Sequence, residues 1–195
     1  MFRQACARQE ALSNAWELPN AGQIGIVVKD PLAASAHWGA RLGIRSWYRP
    51  RLTECRTWAS GVPLDQKFEI VIGYSQRTQI ELFSVTGLDQ GFFDAPSFNS
   101  LPEVHHVGYF VRDIQSRMEK LQDLGLEPAQ TGSLRLAGNV KTRFAYWDMR
   151  KTGAGIVELI EQRAVGLRIG IPEWLVRFGV LTRRFQLIRH PKERT

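Results

Sequence analysis

The chain is short of cysteine, of long apolar runs and, over most of its length, of net charge. Two cysteines, Cys6 and Cys55, are too few for a disulfide framework. No stretch approaches the roughly 18 apolar residues of a membrane-spanning helix, so no membrane partner is expected. The first twenty residues mix Arg3, Arg8, Glu10 and Glu17 and lack the apolar core of a signal peptide. A reducing cytoplasm is the expected location. The net charge of +7 belongs almost wholly to residues 163–195, where eight basic side chains face Glu173 and Glu193. The other 162 residues carry 18 basic and 17 acidic side chains. Nucleic-acid binding wants basic residues interleaved with aromatics along a face of the body, so no nucleic-acid partner is expected. The basic end reads as a solvated tail or as an electrostatic rim for an anionic substrate.

What the chain does have is an internal echo. Gln23-Ile24-Gly25-Ile26-Val27-Val28-Lys29-Asp30 recurs 83 positions later as His106-Val107-Gly108-Tyr109-Phe110-Val111-Arg112-Asp113. Each copy runs into a helix-like stretch ending in Leu-Gly-aliphatic, at Leu42-Gly43-Ile44 and Leu124-Gly125-Leu126. Each finishes on a looser shared element, Ile80-Glu81-Leu82-Phe83 against Val157-Glu158-Leu159-Ile160. A unit of about 80 residues is too long for a solenoid repeat. The spacing predicts two copies of one small module sharing a core.

Both copies read in the order strand, helix, strand, strand, strand. In the first, a strand over 22–28 leads to a helix capped by Asp30 with Pro31 in its first turn. Leu32, Ala36 and Ala40 are expected beneath that helix and Gly43 closes it. A strand over 45–52 and a hairpin of Phe68–Tyr74 with Thr78–Val85 follow. In the second, a strand over 104–111 precedes a helix over 114–124 with Ile114, Met118 and Leu121 on one face. Strands near 128–135, 141–148 and 155–161 complete it. Residues 86–103 read as a linker. The expected organisation is an arm (1–20), a first module (21–85), the linker (86–103), a second module (104–162) and a basic helical extension (163–195). In that extension Trp174, Leu175, Phe178, Leu181 and Phe185 form an apolar stripe for packing on the body or a partner.

Strand residues two apart share a face. Gln23 therefore points with Gly25 and Val27, and His106 with Gly108 and Phe110. Glu81 goes with Gln79 and Phe83, and Glu158 stands between Ile156 and Ile160. Buried carboxylates without partners are costly, and none of these four strands offers a Lys or Arg on the same face. A divalent cation is the remaining compensation. Two carboxylates, one imidazole and one amide oxygen suit Zn²⁺, Ni²⁺, Co²⁺, Mn²⁺ or Fe²⁺. Any of the four alone is an ordinary core or rim residue. Their coincidence at equivalent places in both copies is the signal.

With those motifs in order, residues 21–162 resemble the vicinal oxygen chelate superfamily of glyoxalases, bleomycin-resistance proteins and extradiol dioxygenases. The resemblance implies an α+β fold in which two βαβββ modules pair into a half-open barrel. It assigns the metal ligands to Gln23, Glu81, His106 and Glu158, leaving His105 as an off-register neighbour. It implies a small-molecule substrate and a homodimer, and proton abstraction beside a carbonyl, with Glu158 as base and Glu81 opposite. Val27 and Val85 stand where glutathione-binding members carry Arg and Asn, so glutathione is not expected. Gln23 and Glu81 stand where methylmalonyl-CoA epimerases usually have His and Gln. Phe83, Phe110 and Trp147 are candidates for the cavity wall, and Glu69 is a second candidate base for epimerisation if the hairpin register turns it inward. Two alternatives remain open: Fe²⁺-dependent ring cleavage, which wants a His at position 23, and non-catalytic binding, which needs no ligand set.

Overall fold

The computed structural model describes residues 16–89, 91–94, 103–137, 140–164, 167–168 and 172–190. Most of the expected arm, with Cys6, part of the linker and the last five residues lie outside them. The described chain forms one curled mixed sheet carrying three α-helices.

The first half contributes β1 (Gln23–Val27), α1 (Pro31–Leu42), β2 (Ser46–Pro50), β5 (Gln66–Ser75) and β6 (Thr78–Gly87). The second contributes β7 (Glu103–Phe110), α2 (Ile114–Asp123), β8 (Gln130–Leu136), β9 (Val140–Met149) and β10 (Gly155–Ala164). In each half the first strand runs parallel to the last, and the other neighbours are antiparallel. Strands β1 and β7 then pair antiparallel and fuse the halves into one sheet. Helix starts follow their sequence signals. Ala33 N donates to the Asp30 carboxylate at 2.9 Å and Ser116 N to Asp113 at 3.2 Å. Gly43 ends α1 in the left-handed conformation.

Residues 53–67, unassigned by sequence, form β3 (Leu52–Ala59) and β4 (Val62–Leu64). Strand β3 pairs not with its own half but with β8 of the second. A further strand, β12 (Phe185–Arg189), pairs with β2. Because β2 and β3 are consecutive yet belong to opposite margins, the sheet curls until those margins meet at Arg51. There Arg51 N donates to Arg184 O, and Ala137 N donates to Arg51 O, both at 2.9 Å. The short β11 (Leu167–Arg168) pairs antiparallel with the end of β10.

Alternation sorts the side chains between two faces. Tyr48, Ile70, Ile72, Phe83, Phe144, Tyr146 and Ile156 fill the concave side. Ile26, Val28, Trp47, Val71 and Leu82 lie with Ile44 in the cluster beneath α1, and Ala145, Trp147 and Leu159 lie beneath α2. Helix α1 does not bury Leu32, Ala36 and Ala40, which are exposed. Its buried face is Pro31, Ser35 and Gly39. Small residues win there because the helix lies close: a methyl on Gly39 would stand 2.7 Å from Ile44 O.

The extension holds α3 (Glu173–Leu181) followed by β12, so it is not wholly helical. Trp174, Phe178 and Leu181 face outward, 69%, 54% and 80% exposed. Val176 and Gly179 are the buried positions of α3, and Phe185 packs inside the cup from the strand. The apolar stripe therefore does not pack on the body as one face. Phe185 belongs to a different element, and the helix is apolar on two sides. No helix among the described residues is long and apolar enough to cross a membrane.

Candidate metal centre

The antiparallel β1–β7 pair sets the geometry. Gln23 sits opposite Gly108 and Gly25 opposite His106. The parallel neighbours continue the rows, placing Glu81 beside Gly25 and Glu158 beside Gly108. The twofold symmetry of the two copies thus delivers an amide, an imidazole and two carboxylates to one point on the concave face. Each bulky polar side chain faces a glycine that leaves it room.

The four side chains meet around His106 Nε2. Glu158 Oε2 lies 3.0 Å away, Gln23 Oε1 3.3 Å and Glu81 Oε2 3.6 Å. Ligand atoms of Glu81, His106 and Glu158 all lie within 4.8 Å of one another. The orientation of Gln23 is fixed from behind. Its Nε2 donates to Gln79 Oε1 at 2.7 Å, and Gln79 Nε2 donates to the Tyr74 hydroxyl at 2.8 Å. With its donor engaged there, the amide turns its oxygen to the centre. Tyr146 is the residue directly opposite Glu158 in the β9–β10 pair, and its ring packs against His106 at 5.2 Å.

Electrostatics show what the cluster lacks. Burial and the Glu158 charge push the Glu81 carboxyl up to about 7, against the pull of His106. For His106, burial works downward, but Glu158 and Glu81 outweigh it and hold the imidazole above its usual range. Burial and the two carboxylates raise Tyr146 far above an ordinary tyrosine. Glu158 Oε2 is buried and accepts no hydrogen bond, only the ionic approach of His106. Glu81 keeps its charge beside Glu158 only where further positive charge is at hand. The donor set of carboxylate, imidazole and amide oxygen fits a borderline divalent cation.

A cavity of about 70 Å³ opens from this point, lined by Leu52, Phe68, Ile70, Ile72, Phe83, Leu134, Leu136, Phe144, Ile160 and Phe185. Its polar margin includes Gln79, Thr142, Tyr146 and Gln162, and no Lys or Arg is among the lining residues. Of the expected wall aromatics, Phe83 is in place. Trp147 is not: it faces α2 and donates its indole N–H to Leu126 O at 3.2 Å. The register that puts Tyr146 inward turns it out. Phe110 lies at the rim against Gly22, lining a separate outer cavity of about 410 Å³. Glu69 points away from the cup and pairs with Arg49 at 2.7 Å, half-exposed.

Sequence alternation sets His105 aside, and the structure brings it back. Between Gly25/His106 and Ile26/Val104 the register advances one residue on β1 and two on β7. His105 is the extra residue of a β-bulge, which turns it to the concave side beside His106. It packs against Phe83, Tyr146, Phe92 and Phe93. The last two come from a 3₁₀ turn, Gly91–Asp94, in the stretch read as a plain linker. Adjacent histidines at a strand start were the available signal for His105. Nothing in the sequence marked Phe93.

A cup of paired modules with a buried carboxylate–imidazole cluster at the seam is the architecture of the vicinal oxygen chelate class. A model of the Glyoxalase/Bleomycin resistance protein/Dioxygenase superfamily matches residues 22–146, and the chain belongs to that superfamily. Similar solved structures include methylmalonyl-CoA epimerase from Mycobacterium tuberculosis, at 19% identity and a TM-score of 0.44 over 73% of this chain and 87% of that one. A Streptomyces coelicolor methylmalonyl-CoA epimerase variant in complex with 2-nitronate-propionyl-CoA shares 15% identity, with a TM-score of 0.44 over 79% and 100% of the chains. A mutant 4-hydroxymandelate synthase from the same species shares 13%, with a TM-score of 0.47 over 86% of this chain and 56% of that one. A comparison with curated proteins returns no match.

Proposed function

We propose that this protein is a divalent-metal-dependent isomerase, epimerase or lyase that removes a proton beside a carbonyl of a small apolar acyl or keto compound. One observation carries the reading: the buried convergence of Gln23 Oε1, Glu81, His106 Nε2 and Glu158 Oε2 at the floor of an apolar cup. These four side chains would hold Zn²⁺, Ni²⁺, Co²⁺, Mn²⁺ or Fe²⁺. When bound, the cation supplies positive charge beside the oxygens of the substrate, where negative charge develops as the proton leaves.

The other roles fall to the chain itself. Glu158 is the base, beside Tyr146 on the paired strand, and its Oε2 accepts no hydrogen bond. Glu81 stands across the cluster, on the side where a proton could be returned. Leu134, Phe144, Phe68 and Phe185 exclude water and present a neutral wall, which selects for an uncharged apolar group beside the reacting carbon. Beyond the metal itself, no Lys or Arg among the described lining residues would meet a phosphate or a second carboxylate, which would lie outside the cup. The two modules, 21–85 and 104–162, act as half-cups that each give one strand-start and one last-strand ligand.

The test is metal analysis of the purified protein beside Glu158→Gln and His106→Ala, with solvent-deuterium exchange into acyl-CoA and keto compounds. Stoichiometric metal in the wild type, lost in both variants, supports the reading. Equal and negligible metal in all three defeats it, and oxygen consumption in place of exchange would mark ring cleavage.

A further inference from the structure

We infer that His105 is a positioning residue that dictates which nitrogen of His106 is bare, and so which one faces the cation. The inference rests on the metal reading of the cluster. The bulge in β7 turns both imidazoles to the concave side, with their Nδ1 atoms 3.0 Å apart and their rings at 89°. Two ring nitrogens at that distance share one proton, one donating and the other accepting. The other nitrogen of His106, Nε2, is the one that approaches Glu81, Glu158 and Gln23. An imidazole that offers Nε2 as a lone pair carries its proton on Nδ1. With a cation at Nε2, the shared proton is therefore that of His106, and His105 Nδ1 accepts it.

The surroundings hold His105 to this task. Its ring stacks on Phe93 at 4.9 Å and 25°, with Phe83 and Phe92 meeting it edge-on at 5.3 and 5.2 Å. Rotation of the ring would need this aromatic cage to open. Ligand histidines elsewhere commonly donate to a carboxylate or a backbone carbonyl. A neutral imidazole orients its partner without adding charge to a cavity that already buries two carboxylates. The segment between the modules thus serves the site, because Phe92 and Phe93 are half of that cage.

Two measurements decide the matter. In the Zn²⁺-loaded protein, ¹⁵N-histidine spectra should show His106 Nδ1 protonated and His105 Nδ1 bare; the reverse pattern overturns the inference. Calorimetric titration with Co²⁺ should show affinity lowered about 10- to 100-fold in His105→Phe, which keeps an aromatic ring in the cage but has no acceptor. His105→Asn, whose amide oxygen falls near the Nδ1 position, should recover most of that loss. Melting temperatures of both variants separate lost positioning from lost folding. Wild-type Co²⁺ affinity in a folded His105→Phe protein overturns the inference. A wild type that binds neither Co²⁺ nor Zn²⁺ defeats the metal reading and the inference with it, whereas metal binding with the reversed proton pattern overturns the inference alone.

Discussion

Gly25 faces His106 across the β1–β7 pair, and a methyl group on its α-carbon would stand 1.9 Å from imidazole Cε1 and 2.2 Å from Nε2. The glycine is the floor on which the His106 ring lies. Gly25→Ala is expected to displace His106, to lose bound metal and to destabilise the fold by about 1–3 kcal/mol. Gly108→Ala, whose methyl meets Gln23 Oε1 at 2.7 Å, should be milder, since an amide at the end of a side chain gives way more easily. Urea unfolding and metal content of the two variants check the order.

The metal-free protein should become more stable on mild acidification. Glu81 titrates at about 7 when folded, because burial and Glu158 disfavour its charge, and near 4.5 when unfolded. Between those values the native state binds more protons, so stability is gained as pH falls through 7 and lost as it rises. The raised His106 works in the same direction, its contribution present at low pH and lost above its folded value. For Glu81 the full effect is on the order of 3 kcal/mol. Melting at pH 5 and 8 in chelator captures most of it, and Glu81→Gln should flatten the dependence.

A divalent cation should reverse that trend. Binding displaces protons from the cluster, so the stabilisation by metal grows with pH. At a free concentration one hundred times Kd it amounts to about 2.7 kcal/mol. Thermal shifts with Co²⁺ or Mn²⁺ at pH 6 and 8 check this, and Glu158→Gln should abolish the shift.

Gln79 should matter to the site without touching a ligand atom of the metal. Gln79→Leu removes the acceptor of Gln23 Nε2 and the link to Tyr74. A buried amide left unpaired costs about 1–3 kcal/mol, and the Gln23 amide is then free to turn its oxygen away. Weaker metal binding at unchanged Glu158 and His106 is the expected result, read by calorimetry.

The outer face of α3 and the strand that follows it should respond differently. Trp174→Ser and Leu181→Ser touch exposed positions and should change stability by less than about 0.5 kcal/mol. Phe185→Ala opens a hole in the cup wall and should cost about 3–5 kcal/mol. Unfolding curves of the three variants settle the comparison.

Most of the site was legible because strands alternate. The matched positions of Gln23 and His106, and of Glu81 and Glu158, placed all four on concave faces, and an internal duplication brings equivalent positions together about a twofold axis. Alternation fails where register slips. His105 was assigned outward by counting, and a single bulge reversed it. Trp147 was misplaced by one residue of phase, since Tyr146 is the side chain opposite Glu158.

The sequence by itself determined the doubled module, the helix caps at Asp30 and Asp113, and the identity of the polar residues on the concave strands. These depend on local backbone chemistry and on a period of two or 3.6 residues. Only the tertiary structure decided that β3 crosses to the second half, that β12 joins β2, and that Phe92 and Phe93 close around His105. Such contacts join residues far apart in the chain, and they are chosen by which surfaces fit once the sheet has curled.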